Sequence, residues 1–500
     1  MRTKKALLNL IFSLLLQFVT AISGFIQPIL FINTYGSKVN GLVFSIKNLI
    51  SYLNLVEAGV ATAASQALYK PLAQKNINKI NSILSATKDF YFKSGNIFTI
   101  MSILIACIYP FVIHDNISKI QIFLMVLIVA VNGVAEYYLI GKYRVLVTAD
   151  QKSYVISVVQ IISIVITTGT TIVMILENVN VLIVLITTSM ISISRIFLLF
   201  IYIKRYYPGI NFSSLPDKIS INKKWDAFIH QIANMVVFNS PILIITIFCD
   251  LSDVSVYSVY LMVFTVITSI VTAFSNGLVA GFGEVIAVKE TEIIQKSFRL
   301  FEYVYYIITL LIYTVASLMI IPFIELYTKG IQDAPYSQPM VAFLFILVFL
   351  INNLRVPGLT IIYAAGHFKE TRNSAIIEAL IALITSLTCV QIWGLKGALI
   401  GSCCAAIYRI VDIIIYCNKK IINRSVLHSL KIIGFNILLS LIIYTLIITF
   451  YISNPLNWFN WIIDSLIIST FSMIVLVAGN YLFDRTTFKE LTHRIKILFS

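Results

Sequence analysis

Several ionisable residues of this 500-residue sequence stand inside long apolar runs: the cations Lys47, Arg195, Arg355 and Arg409, and the carboxylates Glu57, Glu136, Glu284 and Glu378. A cation so placed can hold an anion. A carboxyl deprived of water has its pKa raised, and can then exchange a proton near neutral pH or bind a cation. An ionisable group in hydrocarbon costs at least about 2.5–3.5 kcal/mol on insertion scales, which makes each a candidate for function. Each also has a plainer reading. Lys47 can snorkel to the outer headgroups, and Arg195 and Arg409 can anchor helices at the inner leaflet. Arg409 can instead pair with Asp412, three residues on, and Glu284 can pair with lysines near an inner helix end. Arg355 and Glu136 lie at matching depths and can form an ion pair with each other.

The elements that position these residues follow from composition. Hydrophobic residues make up 59% of the chain and charged residues 12%, against roughly 45–50% and about 25% in soluble domains. Mean hydropathy is +0.92. Apolar runs fall at about 6–32, 41–68, 91–113, 120–141, 154–176, 181–203, 225–248, 254–286, 301–326, 339–363, 375–390, 395–416, 429–451 and 461–483. Their length predicts about fourteen transmembrane helices, because only helices satisfy so many apolar backbones internally. The first run is too long for a signal peptide and is expected to be a retained span.

The net charge of +15 would suggest nucleic acid in a soluble protein, but its distribution assigns it to the membrane. With the N-terminus inside, 29 Lys and Arg fall in inner segments and four, Lys38, Lys119, Lys329 and Lys396, in outer ones. The positive-inside rule then places both termini in the cytoplasm, with no nucleic-acid partner expected. Trp458 and Trp461 fit an interfacial aromatic belt. The inner segments 69–92, 204–224 and 287–300 mix lysines with spaced apolar residues and are expected to form amphipathic surface helices. The six cysteines form no CxxC pair and read as small apolar residues. No GxxxxGK[ST] loop supports direct ATP drive, and no cofactor or metal is expected.

The two halves match at a nearly fixed offset. Phe25-Ile-Gln-Pro28-Ile-Leu-Phe-Ile32 corresponds to Phe238-Asn-Ser-Pro241-Ile-Leu-Ile-Ile245, and Gly59 with Gln66 to Gly277 with Glu284. Ala149-Asp-Gln-Lys152 corresponds to Ala365-Gly-His-Phe-Lys369, Gln160 to Glu378, and Arg195-Ile196 to Arg409-Ile410. Six spans per repeat give the halves one orientation and a pseudo-twofold axis along the membrane normal. The expected organisation is a first lobe over 1–210, a second over 211–424, and two extra C-terminal helices over 425–500. Pro28 and Pro241 can bend the first helix of each lobe.

This layout resembles the polysaccharide flippases of the multidrug/oligosaccharidyl-lipid/polysaccharide exporter superfamily. The resembling strings are Leu55-Val-Glu57-Ala-Gly59, Val256-Tyr257-Ser-Val-Tyr260, Ile324-Glu-Leu-Tyr327-Thr-Lys-Gly330 and Ala364-Ala-Gly366-His367-Phe-Lys369-Glu-Thr371-Arg372-Asn373. The resemblance, to capsule, O-antigen and teichoic-acid-type exporters, covers about residues 6–483. It implies an alternating-access flippase in a bacterial cell membrane. The implied substrate is a polyprenyl-diphosphate-linked oligosaccharide, the partners are membrane lipids, and the coupling ion is H+ or Na+. A monomer is expected.

On that footing Arg355, Lys47, Arg195 and Arg409 are the expected substrate-binding residues, since arginine forks suit phosphate. Glu57, Glu136, Glu378 and Glu284 are the expected coupling or gating residues, Glu57 first because it stands beside Gly59. A multidrug or other lipid exporter of the same superfamily is the alternative, although the drug exporters usually have twelve spans. A membrane-embedded polymerase or glycosyltransferase would need a sizeable catalytic loop, and the longest outer one, near 327–338, holds only Lys329 and Asp333.

Overall fold

The computed structural model describes residues 2–57, 60–113, 115–217, 225–276, 291–451 and 455–499, together with Phe282 and Ile286. Gly59, Gly277, Glu284 and residues 218–224 lie outside the described residues. The protein is all-helical, and among the described residues 13 helices are long and apolar enough to cross a membrane. The expected span at 41–68 is the broken one. It divides into α2 (Ser37–Leu53), a 3₁₀ turn (Asn54–Glu57) and α3 (Val60–Ala73).

The first unit comprises residues 1–235 and 245–255. Helix α1 (Arg2–Tyr35) runs through Pro28 without interruption. After α2 and α3, α4 (Ile77–Val112) is capped by Asn76, whose side chain accepts from Lys79 N at 3.0 Å. Helix α5 (Lys119–Ala135) passes through a π turn (Glu136–Ile140) into α6 (Gly141–Ala149), and α7 (Ser153–Leu176) and α8 (Val181–Tyr206) follow. Helix α9 (Trp225–Phe248), whose residues are divided between this unit and the second, likewise runs through its proline, Pro241.

The second unit comprises 236–244 and 256–500. It contains most of α10 (Leu251–Asn276), then α11 (Thr291–Tyr327) and a kinked span made of α12 (Pro339–Leu354) and α13 (Val356–Ala364). Helices α14 (Phe368–Trp393) and α15 (Leu395–Tyr416) form a tight hairpin, and a π turn (Cys417–Ile422) closes α15. Helices α16 (Val426–Phe450), α17 (Trp458–Phe483) and α18 (Arg485–Phe499) complete the chain. Gly394, with φ +54°, makes the α14–α15 turn. A Cβ at Gly401 would lie 2.3 Å from Ser386 N, so the two backbones touch where only glycine fits.

Two expected surface helices are parts of longer rods. The segment at 69–92 is largely the start of α4, which has 36 residues, and the described part of the other, 291–300, is the start of α11, which has 37. At about 1.5 Å per residue each is longer than the ~30 Å hydrocarbon core. Once nucleated, a helix propagates into polar sequence at little cost, and no Gly-Pro signal separates the two parts. The third segment, 204–224, continues α8 only to Tyr206. All six cysteines are free; Cys403 and Cys417 are buried, whereas Cys107 and Cys404 are exposed.

Candidate functional site

In the first unit, backbone irregularities carry the carboxylates. Glu57 closes the 3₁₀ turn after α2, and Glu136 opens the π turn after α5. Aromatic side chains of α4 lock that π turn at both ends. A Cβ on Gly133 would fall 2.1 Å from the Phe98 ring, and one on Gly141 would fall 2.3 Å from that of Tyr91. Between them Tyr137 packs on both rings, and its hydroxyl donates to Leu53 O at 3.3 Å, where α2 gives way. The two breaks are therefore tied to each other. Such π turns recur at functional sites because they redirect one side chain out of helical register.

The redirected carboxylates meet one guanidinium. Arg144 of α6 lies 2.7 Å from Glu57 and 2.9 Å from Glu136, and Arg195 of α8 lies 3.3 Å from the other oxygen of Glu136. These four side chains are between 19% and 31% exposed, enough to keep them wet. They border a cavity of about 500 Å³ whose wall also includes Lys47, Gln27 and Asn54. Lys47 is exposed and makes no ion pair among the described residues. Arg144 is the functional candidate that sequence reasoning missed. By sequence it falls among the inner-segment cations, because the apolar run ends near 141. Its signal is spacing: eight residues after Glu136, or two turns once the π turn absorbs an extra residue.

In the second unit the charges are enclosed. Arg355 sits at the junction of α12 and α13, where Pro357 prevents a continuous ladder. Its guanidinium grips Glu378 of α14 and lies 5.9 Å from the centre of the Phe238 ring. The other Glu378 oxygen lies 3.2 Å from Arg409 Nε of α15, and Arg409 reaches Asp412 at 2.8 Å. Ser374 donates to Asp412 at 2.9 Å. The side chains of Arg355, Glu378 and Arg409 are 5%, 2% and 3% exposed.

Arg355 and Glu136, offered as partners by their matching depth, each pair within their own unit. Equal depth in the sequence says nothing of rotation about the helix axis, which turns Arg355 toward Glu378. The Arg409–Asp412 pair forms. His367 stands at the N-cap position of α14 without a side-chain capping bond and shares a hydrogen bond with the Tyr416 hydroxyl at 3.0 Å. Glu284 lies outside the described residues.

The whole chain can now be compared with solved structures. Lipid II flippase MurJ, in an inward closed conformation, matches with a TM-score of 0.71 at 13% identity, over 94% of this chain and 99% of that one. An inward-facing multidrug resistance MATE family transporter of the MOP superfamily matches at 0.55 and 11% identity, over 80% and 95%. A Vibrio cholerae MATE transporter matches at 0.54 and 12%, over 85% and 99%. The chain has the fold of these transporters. No family profile and no curated protein matches the sequence.

Outside the spans, each unit carries a carboxylate clamp. Asp150 accepts from Lys5 at 3.1 Å and from the Tyr207 hydroxyl at 2.7 Å, and pairs with Lys152 at 2.8 Å. Burial alone would raise its pKa, but these bonds outweigh burial and hold it below the usual carboxylate value. The Tyr207 hydroxyl is pushed up by burial and by the same carboxylate. Asp484 behaves like Asp150: burial opposes ionisation, yet bonds from Arg299, Thr486 and Thr487 depress its pKa. Arg299 Nη2 reaches it at 2.5 Å.

Proposed function

We propose that this chain is an alternating-access flippase. It would carry a polyprenyl-diphosphate-linked oligosaccharide from the inner to the outer leaflet of a bacterial cell membrane for surface polysaccharide assembly. On this reading it is a transporter and not an enzyme, organised as six-helix lobes over 1–210 and 211–424 plus the pair over 425–500, with both termini cytoplasmic. The observation that carries the reading is the wet, charged cavity of the first unit, set among apolar helices of a fold shared with a lipid II flippase.

Lys47 and Arg195 face the headgroup in this proposal. Arg355 and Arg409 engage substrate in another state of the cycle, exchanging Glu378 for a substrate anion. Glu57 is the first choice for carrying a coupling H+ or Na+, because its Arg144 partner is shared with Glu136 and releases one carboxylate without being left unpaired. Glu136 then gates. A strain lacking the protein should accumulate lipid-linked oligosaccharide on the inner leaflet, and the purified chain should flip it in proteoliposomes; neither occurring removes the reading. Glu57→Gln should flatten the pH dependence of transport, and an unchanged profile refutes the proton role. Full export by Arg355→Ala refutes the exchange step.

The multidrug resistance neighbour favours a second reading, drug export. Altered drug susceptibility with normal glycan-lipid distribution in the deletion strain would select it.

A further inference from the structure

The cavity of the first unit has one positive charge that its own residues do not cancel. Two guanidiniums, Arg144 and Arg195, face two carboxylates, Glu57 and Glu136, and those four balance. Lys47 is left over: it lines the same cavity and makes no ion pair among the described residues. An ammonium that faces the cavity with no counter-ion attracts an anion there.

The remaining polar atoms say what kind of anion fits. Five side-chain atoms on this wall are buried without a hydrogen-bond partner: Glu57 Oε2, Asn132 Oδ1, Thr167 Oγ1, Arg195 Nε and Glu136 Oε1, the last of them still ion-paired to Arg144. Native structures leave few such groups, and each calls for an explanation. The first two can only accept, Arg195 Nε can only donate, and the Thr167 hydroxyl does both. A bare phosphate or diphosphate offers acceptor oxygens alone and would be repelled by the Glu57 and Asn132 oxygens. A diphosphate diester is, moreover, dianionic, and the free guanidinium forks that would suit it are already taken by carboxylates. Sugar hydroxyls both donate and accept, so a polyhydroxylated ring satisfies the mixed set. Phe31 supplies an apolar patch for a ring face, and about 500 Å³ lies within the range of small-molecule sites.

We propose that this cavity is the seat of an acidic sugar of the headgroup, a uronic-acid-type ring bearing one carboxylate, with Lys47 as its ion partner and the unpartnered Glu57, Asn132, Thr167 and Arg195 atoms bonding its hydroxyls. The proposal deepens the flippase reading and rests on it. It makes Lys47 a specificity determinant for charged over neutral glycans, and it puts the diphosphate outside this cavity.

The test uses the full chain in lipid nanodiscs. Binding of a glucuronate-containing oligosaccharide is compared with that of a neutral glucose oligosaccharide of equal length, and with inorganic pyrophosphate as competitor. The acidic glycan should bind about 10- to 100-fold more tightly, the worth of one charge-assisted hydrogen bond, and pyrophosphate should not displace it. Lys47→Gln should reduce acidic binding to the neutral level, whereas Lys47→Arg should retain most of it. Equal binding of the two glycans by the wild-type chain overturns the proposal, as does displacement by pyrophosphate at the glycan's own affinity. Because the wild-type comparison needs no variant, poor folding of Lys47→Gln leaves the test intact. Acidic-glycan binding without flipping of any lipid-linked glycan would retain this site and remove the flippase reading. Equal flipping of acidic and neutral lipid-linked glycans would retain the flippase reading and remove this proposal.

Discussion

In the first unit Arg144 and Arg195 meet Glu57 and Glu136 along a cavity wall, each side chain about a fifth to a third exposed. In the second, Arg355 and Arg409 close over Glu378 with almost no exposure. The residue types are the same, and the backbone makes the difference. The first pair of carboxylates sits on a 3₁₀ turn and a π turn, which hold them away from the helix packing. Glu378 sits in mid-helix on α14, in a hairpin whose backbones touch at Gly401. A wet network can exchange partners at low cost, whereas a dry one resists losing any member.

This contrast can be broken experimentally. The largest effect is expected from Glu378→Gln, which leaves two buried guanidiniums facing a neutral amide. It should destabilise by about 3–5 kcal/mol, read as lost folded yield and a lowered Tm in detergent. A wild-type Tm would show that the dry trio is not structural. Next is Gly401→Val, whose Cβ would meet Ser386 N at 2.3 Å; overpacking of this kind costs about 1–3 kcal/mol and should lower Tm without a direct effect on the first unit's cavity. Glu136→Gln should lose no more than about 1 kcal/mol, as wet ion pairs do, while cutting transport at least about 10-fold, the equivalent of about 1.4 kcal/mol. A Tm loss equal to that of Glu378→Gln would erase the distinction between the networks.

A smaller effect is expected between α16 and α17, where Asn436 and Asn480 exchange amide hydrogen bonds at 3.1 and 2.7 Å. Asn436→Leu should cost about 0.6–1.7 kcal/mol, and the double change to leucine should recover part of it, as measured by Tm. The clamps at Asp150 and Asp484 sharpen the comparison by behaving alike in both units. Each carboxyl is depressed in the folded state, so its stabilisation is fully present above the unfolded value of about 3.9. It is lost as pH falls through the lower folded value. Asp150→Asn should therefore lower Tm at pH 7 and flatten the acid limb of the Tm–pH curve.

The helical class and nearly every span were legible because hydrocarbon leaves an apolar run no other way to satisfy its backbone. The breaks were not. Nothing in Asn54–Glu57 or Glu136–Ile140 marks an irregular turn by composition, because what imposes the π turn is distant: the Phe98 and Tyr91 rings filling the notches at Gly133 and Gly141. Arg355 and Glu378 were each singled out, but their pairing was not, since depth along a helix is readable and rotation about it is less so. Arg144 was overlooked because α6 carries helix past the apolar run as far as Ala149.

The final helices stand outside the repeat expected from the sequence and look like an accessory that could be trimmed away. The buried carboxylate of Glu302 on α11 argues otherwise: Arg424 grips it, Ser429 donates to it at 2.7 Å, and Asn418 holds Arg424 at 2.6 Å. Higher up α11, the Trp461 indole donates to Met319 O at 3.1 Å. A gene cut after codon 424 would strip one whole side of α11 and remove the hydroxyl from an acid that has no water to turn to. Such a truncation would behave as a core deletion, and a complementation assay should score it as a missing protein, not as a shortened but working one.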